Sequence, residues 1–142
     1  MIQPLLVAMQ FALIGAIAWP WSGSQANPWA LVLIAPAGLF ALWTLAHNRP
    51  GNFNVRPAVK ARAQLITSGP YRWVRNPMYV SLLLLMLGVA VFHGRPVYLL
   101  PWGGLALVLA IKVRLEEAFL VERFPEYADY MARVKRFLPG IY

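Results

Sequence analysis

The first 46 residues, Met1 to Ala46, contain no Asp, Glu, Lys or Arg. No ordinary soluble fold begins this way, because a water-facing surface needs charged residues and typical soluble domains are about 25% charged. The whole chain of 142 residues is 13% charged and 60% hydrophobic. The uncharged stretch is broken once, at Trp19-Pro20-Trp21-Ser22-Gly23-Ser24-Gln25-Ala26-Asn27-Pro28. Pro, Gly and Ser punctuate helices, and Trp favours the membrane–water boundary. Two membrane helices are therefore expected, about Ile2–Ala18 and Pro28–Ala46, each close to the roughly 20 residues that cross a bilayer. Ala16-Ile17-Ala18 resembles a signal-peptidase site, yet no basic residue precedes it, so the first helix is expected to stay.

Two shorter apolar runs follow, Met78–His93 and Val97–Ile111, separated by Gly94-Arg95-Pro96. They are short for spanning and cross with little tilt if Arg95 and Lys112 snorkel to the headgroups. The expected architecture is one all-α integral membrane domain over 1–142, with four transmembrane helices, a basic connection at 47–77 and an amphipathic helical tail at 112–142. A short helix around Ala58–Leu65 is expected in the connection. Pro125 is expected to interrupt the tail helix and Leu138-Pro139-Gly140 to end it.

The net charge of +8 is unevenly spread. Every Lys and Arg except Arg95 lies in the middle connection or the tail. With four spans those two segments share one face, and the positive-inside rule makes it cytoplasmic, together with both termini. The basic residues then meet anionic headgroups of the lipid bilayer rather than nucleic acid. The chain has no Cys, so it has no disulfide framework and no thiolate site. His47 and His93 fall near opposite faces and cannot share a metal; no metal site is expected, and His93 is expected at the interface. Gly88, Gly103 and Gly104 are expected to let helices approach closely.

Polar chemistry is concentrated in two stretches. Ser68 to Tyr79 runs into the third apolar helix, with Pro77 suited to its first turn and Asn76 to the cap before it. Free N–H groups there suit an anion. Lys112, Arg114, Glu116 and Glu117 follow the fourth run. Adjacent helical residues point about 100° apart, so the two glutamates cannot both face one pocket fully. Local readings stay open: Arg72, Trp73, Arg75 and Tyr79 as an interfacial belt, Asn76-Pro77 as a plain cap, Lys112 paired with Glu116, and Phe124, Tyr127 and Tyr130 as packing.

Together the stretches resemble the integral membrane methyltransferases of the isoprenylcysteine carboxyl methyltransferase and phospholipid methyltransferase group. That family has Gly-Pro-Tyr-Arg-x-x-Arg-His-Pro-x-Tyr opening a membrane helix, then Glu-Glu on a later helix, a Phe turn, two Tyr, an Arg-rich segment and Leu/Ile-Pro. Here stand Gly69-Pro70-Tyr71-Arg72-Trp73-Val74-Arg75-Asn76-Pro77-Met78-Tyr79, then Glu116-Glu117, Phe124, Tyr127, Tyr130, Arg133, Arg136 and Leu138-Pro139. The chain departs from the pattern at Asn76 for His, at Ser81 for a frequent Gly, in a shorter turn after Phe124 and at Lys135 for Pro. Related sterol-type reductases carry an Asn and a Glu that this chain lacks around Tyr79.

The resemblance implies S-adenosylmethionine as cofactor, bound by Tyr71, Arg72, Arg75, Asn76, Pro77, Tyr79, Glu116 and Glu117. It implies methyl transfer to a lipophilic, lipid or prenylated acceptor, with Glu117, Arg133 and Arg136 in catalytic roles. A carboxylate acceptor needs an orienting cation such as Arg133 or Arg136, whereas an ammonium acceptor needs a base such as Glu117. The alternatives are a non-enzymatic membrane protein of this fold, a transporter subunit or scaffold, and an NADPH-dependent reductase. The small-residue faces permit helix association without fixing an oligomeric state.

Overall fold

The computed structural model describes residues 2–48 and 65–141. The basic residues Arg49, Arg56, Lys60 and Arg62, and all but the last residue of the short helix expected at Ala58–Leu65, lie outside that range. The described residues form an all-helical chain: α1 (Ile2–Ala18), α2 (Leu31–His47), α3 (Pro77–Phe92), α4 (Leu99–Arg123) and α5 (Tyr127–Arg133). Short 3-10 turns at Pro28–Ala30 and Pro96–Tyr98 lead directly into α2 and α4. Both begin with Pro, whose fixed φ suits a first helical turn. Two helices, Pro28–His47 and Pro96–Arg123, are long and apolar enough to cross a membrane, while Ile2–Ala18 and Pro77–Phe92 are shorter apolar helices.

The helices pair as α1 on α4 and α2 on α3, with α3 and α4 joining the pairs. Ile17, Met86, Ala90, Tyr98, Leu105 and Leu109 form the core between α1, α3 and α4. The outer faces remain apolar, with Leu39, Leu100 and Leu107 among many large hydrophobics left exposed. Water drives such residues inward, so an apolar outer face of this kind suits lipid or a protein partner.

Glycines set two helix contacts. A Cβ on Gly88 would sit 2.5 Å from Ile34 Cγ1 and 3.2 Å from Ile34 N, which is how α2 and α3 come so close. A Cβ on Gly104 would sit 3.2 Å from Leu13 on α1. Gly103, expected to do the same, has nothing within 4 Å of its Cβ direction and faces outward.

One end of the bundle is closed by the connection between α1 and α2. Tyr98 hydroxyl donates to Trp19 O at 3.0 Å and accepts from Trp21 N at 2.7 Å. His93 is buried within the protein at this end: its ring stacks on Tyr98 at 4.4 Å, and Nδ1 lies 2.7 Å from Ser24 Oγ. Ser24 and Tyr98 hold the ring against the loop between α1 and α2. Arg95 donates to the carbonyl of Ser22 at the same end.

The other end is built from the Ser68–Asn76 segment, the last turns of α4, α5 and the tail. α4 is about 37 Å long at 1.5 Å per residue, against a hydrocarbon core of about 30 Å. Its last turns therefore project beyond the core if the helix spans. The tail is not helical to its end. α5 stops at Arg133, and Val74 pairs with Lys135 in an isolated parallel bridge. Arg75 N donates to Lys135 O at 2.8 Å and Asn76 N to Arg136 O at 3.2 Å. These backbone groups find partners across the chain, so the tail gains more by pairing than by another helical turn.

Candidate functional site

The site grows from the Gly69–Asn76 turn. Gly69 has φ +58°, and a Cβ there would meet the His47 ring at 2.6 Å, so no other residue fits without strain. Ser68 Oγ lies 3.1 Å from His47 Nε2, which ties the turn to the end of α2. Pro70 begins a 3-10 turn through Arg72, and Pro77 opens α3. Asn76 is the residue before α3, but its side chain makes no cap bond. Its backbone carbonyl accepts from Tyr79 N and Val80 N instead, and its Nδ2 reaches Arg136 O at 3.5 Å. The expected Asx cap gives way because that side chain turns to the tail.

The two adjacent glutamates are separated in role by the 100° step. Glu117 is 3% exposed and gripped from two sides. Arg75 Nε lies 2.8 Å from Oε1, and Arg136 Nε lies 2.6 Å from Oε2. Arg75 goes on to donate from Nη1 to the carbonyls of Met131, at 3.0 Å, and Val134. One carboxylate thus joins the turn before α3, helix α4 and the tail after α5. A buried carboxylate is tolerable only with such charge-assisted partners.

Glu116 faces the α3 side. Its Oε1 accepts the Tyr79 hydroxyl at 2.6 Å, and the ammonium of Lys112 lies close enough to act on it electrostatically. Lys112 Nζ sits 5.3 Å from the centre of the Tyr79 ring and 2.7 Å from Gln10 Oε1 on α1. Lys112 is therefore buried, at 1% exposure, where snorkelling to the headgroups was expected. The amide of Gln10, the Tyr79 face and Glu116 supply inside the bundle what lipid headgroups would supply outside.

Tyr127 and Tyr130 of α5 are buried behind this cluster, rings 5.6 Å apart, and Tyr130 hydroxyl donates to Tyr71 O at 2.5 Å. Burial pushes the Tyr71 phenol up to about 12. Burial also raises the Tyr127 and Tyr130 phenols; for Tyr127 the Glu117 charge adds to it, and Arg75 opposes the rise at both. All three phenols are neutral at ordinary pH.

Of the residues expected in the site, Arg75, Asn76, Pro77, Tyr79, Glu116, Glu117 and Arg136 come together at this end. Arg72 is exposed at its mouth, and Arg133 is exposed on α5, its Nε 3.3 Å from Asp129 O. Gln10 and the burial of Lys112 were missed. An amide in the middle of a helix without charged residues is itself a signal, since polar side chains there commonly bond to a neighbouring helix. Beside the cluster an apolar groove of about 390 Å³ is lined by Phe40, Trp43, Trp73, Val74, Val80, Phe137 and Pro139. It shares its walls with the paired segments that carry Arg75 and Arg136. Among the described residues, no three His, Asp or Glu side chains gather as a metal would need.

The described residues thus form a helical bundle with apolar outer faces, a polar cluster at one end and an apolar groove beside it. The sequence profile of the family described as phospholipid methyltransferase matches residues 26–127, and the chain belongs to that family. It is 32% identical over 126 residues to the cobalt-zinc-cadmium resistance protein CzcN of Cupriavidus metallidurans, covering 85% of this chain and 54% of that protein. It is 31% identical over 79 residues to the nickel-cobalt-cadmium resistance protein NccN of Alcaligenes xylosoxydans xylosoxydans, covering 55% of this chain and 37% of that one. The chain thus spans about half the length of the first relative and less of the second.

Proposed function

We propose that this protein is a membrane methyltransferase that uses S-adenosylmethionine and acts on a lipophilic acceptor. The observation that carries the reading is the division of labour between the two glutamates. Glu117 is fully engaged by Arg75 and Arg136, so it builds the site, while Glu116 with Tyr79 presents a half-buried carboxylate beside it. The donor set suits the cofactor: Glu116 for an ammonium or ribose hydroxyls, Arg72 at the mouth for a carboxylate, and the exposed Trp73 indole for a flat base. When bound, the cofactor supplies an electrophilic methyl group. The protein's part is to hold the acceptor in line and keep water away. The groove between Phe40, Trp43 and Phe137 seats the acceptor's apolar tail.

In this reading all four long helices cross the bilayer, and the site, both termini and the 47–77 connection lie on the cytoplasmic side. The placement of the basic residues supports that orientation.

Thermal unfolding in detergent tests the proposal. S-adenosylhomocysteine at a hundredfold excess over its dissociation constant stabilises the native state by about 2.7 kcal/mol. Glu116→Gln is expected to abolish the shift. No stabilisation of the wild type at millimolar ligand would sink the enzyme reading. Transfer of labelled methyl to a lipid extract, against prenylcysteine and thiol analogues, then identifies the acceptor.

The names of the two relatives favour a second reading, a part in heavy-metal resistance that needs no methyl transfer. Survival of cells challenged with cobalt, zinc or cadmium separates the two. If Glu116→Gln protects as well as the wild type, that function is not methyl transfer.

A further inference from the structure

The buried ammonium of Lys112 belongs to neither the Glu117 clamp nor the groove. It is enclosed from three elements: Gln10 of α1 at 2.7 Å, the Tyr79 ring of α3 at 5.3 Å, and Glu116 on its own helix. Gln10 is itself 9% exposed and lies in a helix without any charged residue. The family match begins at residue 26, so α1 stands outside it, yet α1 reaches the site through this amide. A buried cation needs such an acceptor, because removing it from water without a partner is strongly unfavourable.

We propose that Gln10 is a positioning residue for the cofactor site. By holding Lys112 Nζ at the α1 interface and against the Tyr79 face, it moderates the pull of the ammonium on Glu116. The Tyr79–Glu116 pair then keeps the carboxylate turned to the cofactor's amino group. The inference rests on the reading of Glu116 as the cofactor carboxylate. α1 thereby acts on ligand affinity without touching the ligand.

The test measures S-adenosylhomocysteine affinity by calorimetry in detergent for the full chain and its Gln10→Leu, Gln10→Glu, Lys112→Met and Gln10→Leu/Lys112→Met variants. Gln10→Leu is expected to weaken binding about tenfold, within the range for coupled neighbours. Gln10→Glu keeps an acceptor and is expected to restore most of the affinity. In the Lys112→Met background, Gln10→Leu is expected to change little, because its effect runs through the ammonium. A second readout needs no ligand: Lys112 resists amine acylation in the wild type and becomes reactive in Gln10→Leu, as peptide mapping by mass spectrometry reads. Should Gln10→Leu fail to fold, the double variant compared with Lys112→Met carries the test, since it strands no ammonium. Equal affinity in Gln10→Leu and wild type, or additive losses in the double variant, overturns the inference while leaving the methyltransferase reading intact. Absence of binding by the wild type overturns both.

Discussion

Glu117 shows how much one residue can hold. Its two oxygens receive guanidinium groups from segments 42 and 19 residues away along the chain. Removing one partner of a buried pair typically costs about 3–5 kcal/mol, because the other charge is stranded. Glu117→Gln keeps the volume and removes the charge, so a loss of about 3 kcal/mol is expected in thermal unfolding, less whatever Arg136 recovers by turning to water. Alkaline stability follows from Tyr71. The unfolded phenol ionises near 10 and the folded one near 12. The folded chain therefore keeps a proton that the unfolded chain gives up across that window. Tyr71's contribution is intact below about pH 10 and is lost as pH rises towards 12. The unfolding midpoint should fall over that range, and Tyr71→Phe should flatten the fall. That Arg75, Glu117 and Arg136 come together was legible in the motif order. Which glutamate each arginine takes was not, because it depends on the rotation of α4.

At the scale of elements, apolar runs bounded by Pro and Gly gave away the helices. A run such as Pro77–Phe92 has one stable way to satisfy its backbone when its side chains avoid water. The glycines show the limit of that logic. Gly88 and Gly103 look alike in sequence, yet one abuts Ile34 and the other faces outward. Gly88→Ala is expected to destabilise by about 1–3 kcal/mol through overpacking. Gly103→Ala is expected to be neutral or to gain up to about 1 kcal/mol from helix propensity. Chemical unfolding in mixed micelles compares the two. The end of the tail departs from the expected helix for a related reason: Lys135 pairs with Val74, and local periodicity cannot report a partner 61 residues away.

For the whole molecule, the absence of Cys makes topology directly measurable. Single cysteines at Ser68 and Asp129 should be labelled by an impermeant thiol reagent only from the cytoplasmic side, and one at Ser24 only from the opposite side. Labelling of Ser68→Cys and Ser24→Cys from the same side would rule out the proposed arrangement of four crossings. The polar cluster lies at one end of the bundle and the Trp19–Asn27 closure at the other, so the two labels probe well-separated faces.

The sequence by itself determined that the chain is helical, that its outer surface suits lipid and that its charges gather after residue 46. Those properties follow from composition and spacing along a single strand. It also carried the motif order that marks the family. Only the tertiary structure decided which charges are buried, that Glu117 closes a three-segment clamp while Glu116 faces Tyr79, and that Gln10 brings α1 to Lys112. Those are pairings between distant segments, and they are set by helix rotation and packing, which a one-dimensional pattern does not contain.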